Sequence, residues 1–244
     1  MDAMSHSAPQ ATGILHSVAR TTCYRGGADW LVLWGPGAPD RREPMRRQLA
    51  AGGRVIALDL SYWDRPTKFR VSIDAAHPQA WVLRGDWPMS RWDASGLACE
   101  SAWDPRGPVI VAGIGDKARI QYGRQVADWE TAMTLEARRR GYRVVYRPKL
   151  RHQLTPIETA LRGAAAVITW HSNVAVDAIR LGVPVICRDG AAAAICPSQW
   201  TDGRPEPVAD DLRRRFLANL AWFQWAPTET SGYWAFLRDL LCAS

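Results

Sequence analysis

At 244 residues, with 47% apolar and 23% charged side chains, the chain is long enough for one large domain or two small ones, each around a buried core. A formal charge of +7 suits an anionic partner, either nucleic acid or a phosphorylated substrate. No apolar run reaches the roughly 18–20 residues of a membrane span. Met1 to Gln10 lacks the basic-then-apolar layout of a signal peptide, and five cysteines without a CxxC argue against a disulfide framework or thiolate metal site. A reduced, cytoplasmic protein is expected.

In chain order, short apolar runs alternate with helical patterns, which predicts an α/β fold with parallel sheets. Strands are expected at Trp30–Trp34 and Arg54–Leu58 around a helix near Arg42–Ala51, with less regular strands near Phe69–Ile73 and Trp81–Leu83. Residues 86–108 carry Pro88, Pro105, Pro108, Gly96 and Gly107 with little periodicity and read as a linker. From Val109 the order is strand "PVIVAG", a helix with Val126, Trp129, Met133 and Ala137 on one face, strand "YRVVYRPK", a short helix at Pro156–Leu161, strand "AAVITW", a helix over 173–181 and strand "VPVIC". Two helices, Val208–Phe223 and Thr228–Leu241, close the chain. The expected architecture is two Rossmann-like lobes facing a cleft: residues 1–105, residues 106–225, and a helix over 226–244 returning to the first lobe. The arginine runs at 41–42, 46–47, 138–140 and 213–215 read as solvated helix faces.

Rossmann-like lobes bind anions at the carboxyl ends of strands, where helix N-termini offer free N–H groups. His171, Ser172 and Asn173 fall at such an edge. Ser172 suits a helix N-cap, and with Asn173 it also suits a phosphate or diphosphate. Asp177 follows one turn deeper among Val174, Val176, Ala178 and Ile179, where an ionised group must face solvent or serve a ligand such as ribose. "AGIGDK" supplies Gly113 and Gly115 for close backbone approach and Lys117 for charge; "YRPK" supplies Arg147 and Lys149.

Asp177-Ala178-Ile179-Arg180-Leu181-Gly182-Val183-Pro184-Val185 resembles the Glu-Ala-x-x-x-Gly-x-Pro-Val signature in the C-terminal lobe of GT-B glycosyltransferases, with Asp in place of Glu. The combinations "RVS…HP", "YRPK", "HSN.A.DA" and "QW…E…G..W" are also similar to uncharacterised phage-encoded proteins. The resemblance covers residues 109–240 and implies a nucleotide-sugar donor, with Asp177 on its ribose, the glycine turn near its phosphates and Arg147 and Lys149 on its diphosphate. It implies a metal-independent reaction without a cofactor, the nucleotide-sugar being a co-substrate.

A glycosyl transfer needs a general base for the acceptor hydroxyl and positive charge for the leaving group. His77 titrates in a suitable range, and Asp59 is the alternative base or the group that orients His77. Gly35, Gly37, Asp64 and Arg65 are candidate acceptor contacts. The charge also accommodates a hydroxylated base in phage DNA as acceptor. The competing readings are a nucleotide-sugar epimerase on the same scaffold and a non-catalytic basic nucleic-acid-binding protein. The absence of GxGxxG and GxSxG disfavours a dinucleotide-dependent oxidoreductase and a serine hydrolase.

Overall fold

The computed structural model describes residues 30–65, 67–149 and 155–242. The described chain divides into two compact units, residues 30–78 with 222–242, and residues 79–221.

In the first unit, β1 (Trp30–Trp34) runs parallel to β2 (Arg54–Leu60), joined by helix α1 (Pro39–Ala50). Val55, Ile56, Ala57 and Leu58 are all buried, the near-continuous apolar run of a strand covered on both faces. Met45 and Leu49 of α1 pack on Leu33, Val55 and Ala57. β3 (Phe69–Ile73) runs antiparallel to β2, contrary to the parallel sheet expected for this lobe. The physical reason is length: the link from Ser61 to Lys68 is eight residues, and a parallel crossover needs a dozen or more.

The unit is completed from the far end of the chain. A two-residue strand at Gln224–Trp225 adds antiparallel to β3, and the final helix, Thr230–Cys242, sets Tyr233 edge-on to Phe69 at 5.6 Å and Phe236 against Phe223 and Trp225 at 5.2 and 5.8 Å.

In the second unit, β4 (Val109–Ala112), β5 (Val144–Arg147), β6 (Ala166–Thr169) and β7 (Val185–Cys187) form an all-parallel sheet in the order β5-β4-β6-β7. The chain therefore leaves β4 to one side, returns to its other side with β6 and continues outward. The reversal falls between β4 and β6. Such switch points leave a crevice at the carboxyl ends of the strands. Between β4 and β5 run α2 (Asp116–Tyr122), a 3-10 turn (Gly123–Val126) and α3 (Trp129–Arg139), so the long helix expected there is interrupted. Gly123, at a φ of 51°, marks the break. Trp129 and Met133 still cover Val109, Val111, Ala166, Ile168 and Ile186, as the apolar spacing predicts.

Two other expectations change. Trp81–Leu83 is not a strand: the Val82 and Gly85 carbonyls accept from the side-chain amide of Asn219, at 2.8 Å each, in place of a neighbouring strand. The expected linker is packed against the second unit. Trp92 is buried in a single helical turn (Ser90–Asp93), the Glu100 and Ala102 N–H groups donate to the carbonyls of Arg180 and Leu181, and the Trp103 indole donates to the Ala165 carbonyl at 3.0 Å. No helix among the described residues is long and apolar enough to cross a membrane.

Cys187 closes β7 inside this core. Burial pushes its thiol up to about 12, and burial raises Cys196 as well. The thiolate is the reactive form, so neither should react with an aromatic disulfide reagent in the native protein at pH 8. Both should react after denaturation, with mass spectrometry locating the labels.

Candidate functional site

The candidate donor residues gather at the carboxyl edge of the parallel sheet. Gly113 follows β4 directly, and its N–H donates to the Arg147 carbonyl at 2.8 Å, carrying the ladder one step past β4. A Cβ at Gly113 would stand 2.9 Å from the Tyr146 hydroxyl and 3.0 Å from the backbone nitrogen of Lys149. One at Gly115 would stand 3.0 Å from Cδ of Lys149. The two glycines thus let the loop close against the exit of β5, and Gly113, Gly115 and Lys149 lie together. Arg147 donates to the Thr155 carbonyl at 2.7 Å. Lys117, in the first turn of α2, is exposed.

Across the switch point, β6 ends at Thr169, whose hydroxyl accepts the Ser172 N–H at 3.1 Å. The helix begins at Val174 with Asn173 in the cap position, and the Ser172 hydroxyl accepts the Val174 N–H at 3.4 Å. His171 packs edge-on to Tyr122 with ring centroids 5.7 Å apart. Six of the seven residues of this helix, Val174–Arg180, are buried; Asp177 is the exception. The acid is thus half-buried among apolar neighbours.

Two acids at this edge were missed by the sequence reading. Glu130, in the first turn of α3, accepts the Ile114 N–H at 2.7 Å and the Tyr146 hydroxyl at 3.0 Å, and pairs with Arg119. One carboxylate thereby fixes the glycine loop, α2 and β5. Desolvation, and then the bond to Glu130, raise the Tyr146 phenol above its usual range. Asp189, just after β7, accepts from the Tyr122 hydroxyl, the Gly190 N–H at 2.7 Å and the Gln79 amide at 3.4 Å. The Asp-Gly pair directly after an apolar strand was a signal that could have found it. No local signal marks Glu130, whose partners lie 11 and 16 residues away. Beneath both, Ile114, Ala118, Val126 and Trp170 form a small apolar cluster with Tyr122 and Trp129.

The first unit holds the other candidates. His77 is buried, and its Nδ1 lies 2.9 Å from the Tyr62 hydroxyl. Asp59 pairs with Arg70 across β2 and β3 at 2.8 Å, and the Arg70 guanidinium lies over the Tyr62 ring at 5.1 Å. Tyr62, which the sequence reading passed over, is thus a group in contact with His77, and Arg70 links Tyr62 to Asp59.

Gly35, at a φ of 64°, donates its N–H to the Leu58 carbonyl, while the Gly37 carbonyl accepts from Arg42 at 2.9 Å. Asp64, at a φ of 53°, turns the β2–β3 link and pairs with Lys68 at 3.0 Å. Arg65 is exposed beside it.

Neither a family model nor a curated protein matches the sequence. Solved structures do match the fold, and two of these are Kdo transferases. They are the beta Kdo 2,7 transferase of Thermosulfurimonas dismutans KpsC, with a TM-score of 0.54 at 13% identity over 95% of this chain and 97% of that one, and the beta Kdo 2,4 transferase of the same KpsC, with a TM-score of 0.54 at 14% identity over 91% and 92%. The likeness is one of fold. It covers more than nine-tenths of each chain.

Proposed function

We propose that the chain is a glycosyltransferase that moves a sugar from a nucleotide-sugar donor to a hydroxyl acceptor. The observation that carries this reading is the fold shared with two sugar transferases over more than nine-tenths of the chain. The gathering of Gly113, Gly115, Lys149, Ser172 and Asn173 around a switch point supports a donor site in the second unit. Asp177 holds the ribose hydroxyls in this reading. The glycine loop and the Ser172–Asn173 turn receive the phosphates, with His171 beside them. Lys117, Arg147 and Lys149 supply the charge that a leaving phosphate needs, without a metal ion. The division of labour is GT-B-like: the first unit binds the acceptor, through Gly35, Gly37, Asp64 and Arg65. His77, backed by Tyr62, takes the proton as the acceptor oxygen attacks the anomeric carbon, and Asp59 is the alternative base. The two neighbours are named for Kdo, so this acidic sugar is the first to try as the transferred group, and the chain's +7 charge suits it.

Calorimetric titration with UDP-, GDP-, ADP- and CMP-sugars tests the reading. One donor is expected to bind with a micromolar Kd, and Asp177→Ala to weaken it by about 10- to 100-fold, the worth of hydrogen bonds to a charged group. With that donor, transfer to a saccharide is expected; transfer to hydroxymethylated DNA instead would change the acceptor class. Inversion of the donor's own sugar without transfer would point to an epimerase. Silence towards every donor, with steeply salt-dependent DNA binding, would leave a basic nucleic-acid-binding module and end the transferase reading.

A further inference from the structure

At the opposite edge of the second unit's sheet, a cavity of about 470 Å³ lies where the chain enters β4 and β5. From Gly107 at its wall to Gly113 is six residues of mostly extended chain, about 20 Å at strand rise. The cavity is remote from the donor edge.

Three arginines line it, Arg106, Arg140 and Arg204, and no acid does. Arg140 is fixed in place. It pairs with Glu136, donates to the Thr201 carbonyl at 3.0 Å and lies 4.9 Å over the Trp200 ring, which stacks on Tyr142 at 5.9 Å. That lattice pins the loop carrying Arg204. Arg204 itself has no ion pair among the described residues, and Arg106 has only Asp104 at 3.9 Å. Both side chains are solvent-exposed, so a ligand reaches their guanidiniums without first breaking a buried ion pair. A guanidinium fork is suited to bidentate binding of carboxylate or phosphate.

A second cavity, of about 440 Å³, adjoins the first through Gly203 and Arg204. Its lining changes character: Gln199, Thr201, Asp202 and Glu206 offer hydrogen-bonding groups, two of them acidic. Carboxylates are poor neighbours for a polyphosphate backbone but good acceptors for sugar hydroxyls. The pair of cavities thus presents cations at one end and hydroxyl partners at the other.

We propose that these joined cavities bind a carboxylate-bearing oligosaccharide, its carboxylate on Arg106 and Arg204 and its hydroxyls on the Gln199–Glu206 segment, at a site separate from the donor edge. Such a site would hold an acidic glycan chain on the enzyme independently of turnover. The inference rests on the lining and not on the identity of the donor, so it stands or falls by its own test.

The test is binding of trigalacturonate by the full chain, measured by calorimetry beside maltotriose, inorganic phosphate and a short single-stranded DNA. Trigalacturonate is expected to bind at least roughly ten-fold more tightly than maltotriose or phosphate, since it alone engages both ends of the site. Arg106→Ala/Arg204→Ala should weaken it about ten-fold or more, through lost charge-assisted bonds, with an unchanged melting temperature. Asp177→Ala should leave it untouched, and the double variant should leave donor binding untouched. This separates failure here from failure of the transferase reading. Equal affinity for maltotriose, full binding by the double variant, or tighter binding of DNA with displacement of the saccharide would each overturn the proposal. Phosphate binding as tightly as trigalacturonate would overturn it too, leaving a simple anion site.

Discussion

Gly182→Ala is expected to lower the melting temperature by roughly 6–12 °C, the consequence of losing about 3 kcal/mol in a domain of this size. Two costs combine at this position. Gly182 sits at a φ of 69°, a region that side chains rarely adopt, and a Cβ there would stand 2.5 Å from Nη1 of Arg213 and 2.7 Å from the Glu100 carbonyl oxygen. Neither neighbour has room to retreat. Arg213 is buried, donating to that same carbonyl at 2.6 Å and pairing with Asp210, while the Glu100 N–H donates to the Arg180 carbonyl. Arg180, also buried, pairs in turn with Glu158 and Glu100. The glycine therefore marks the point where the helix bearing Asp177 meets the packed 98–102 segment. Gly163→Ala is the control: its φ of 73° is similar, but nothing lies within 4 Å of its Cβ position. It should cost about 1 kcal/mol, the backbone part alone. Equal losses in the two variants, read by thermal or urea unfolding, would contradict the close approach at Gly182.

Glu130→Ala is expected to weaken donor binding by about 10- to 100-fold, since displacements near 1 Å at a positioning loop have effects of that order. The carboxylate is largely buried and holds the Ile114 N–H, the Tyr146 hydroxyl and Arg119 together. Its removal frees the loop between Gly113 and Gly115 and strands an N–H that was satisfied, an effect worth about 1–3 kcal/mol in stability. Glu130→Gln should fall between, because an amide oxygen still accepts from Ile114 while its NH₂ faces the Arg119 donor. Calorimetry with the donor and a thermal melt, run together, separate the roles. A lower melting temperature with unchanged donor affinity would show that the loop is structural and does not touch the donor.

Much of this molecule is written locally. The strands of the second unit are three- or four-residue segments of short runs between glycine and proline punctuation, and the sequence spacing places Trp129, Met133 and Ala137 on the face that covers them. Asp177 stood out in the sequence for a sound reason: it is the one charged residue before Arg180 on a helix otherwise buried, and the structure leaves only that residue of the seven unburied. The Gly-x-Pro step likewise reads as the end of a helix and the start of a strand.

What the sequence could not determine is whatever depends on residues far apart in the chain meeting one another. The antiparallel β3 follows from a link too short for a crossover, yet its second neighbour, Gln224–Trp225, lies about 150 residues on, and no periodicity encodes that pairing. The same holds for Asn219 replacing a strand at Val82, for Glu130 bracing the glycine loop and for Tyr62, which stands between Arg70 and His77. The sequence alone determined the periodic elements and the residue types gathered at strand ends, because those follow from local sterics and alternation. Only the tertiary structure decided which buried polar groups satisfy one another. A hydrogen bond requires two groups within about 3 Å in space, whatever their separation along the chain.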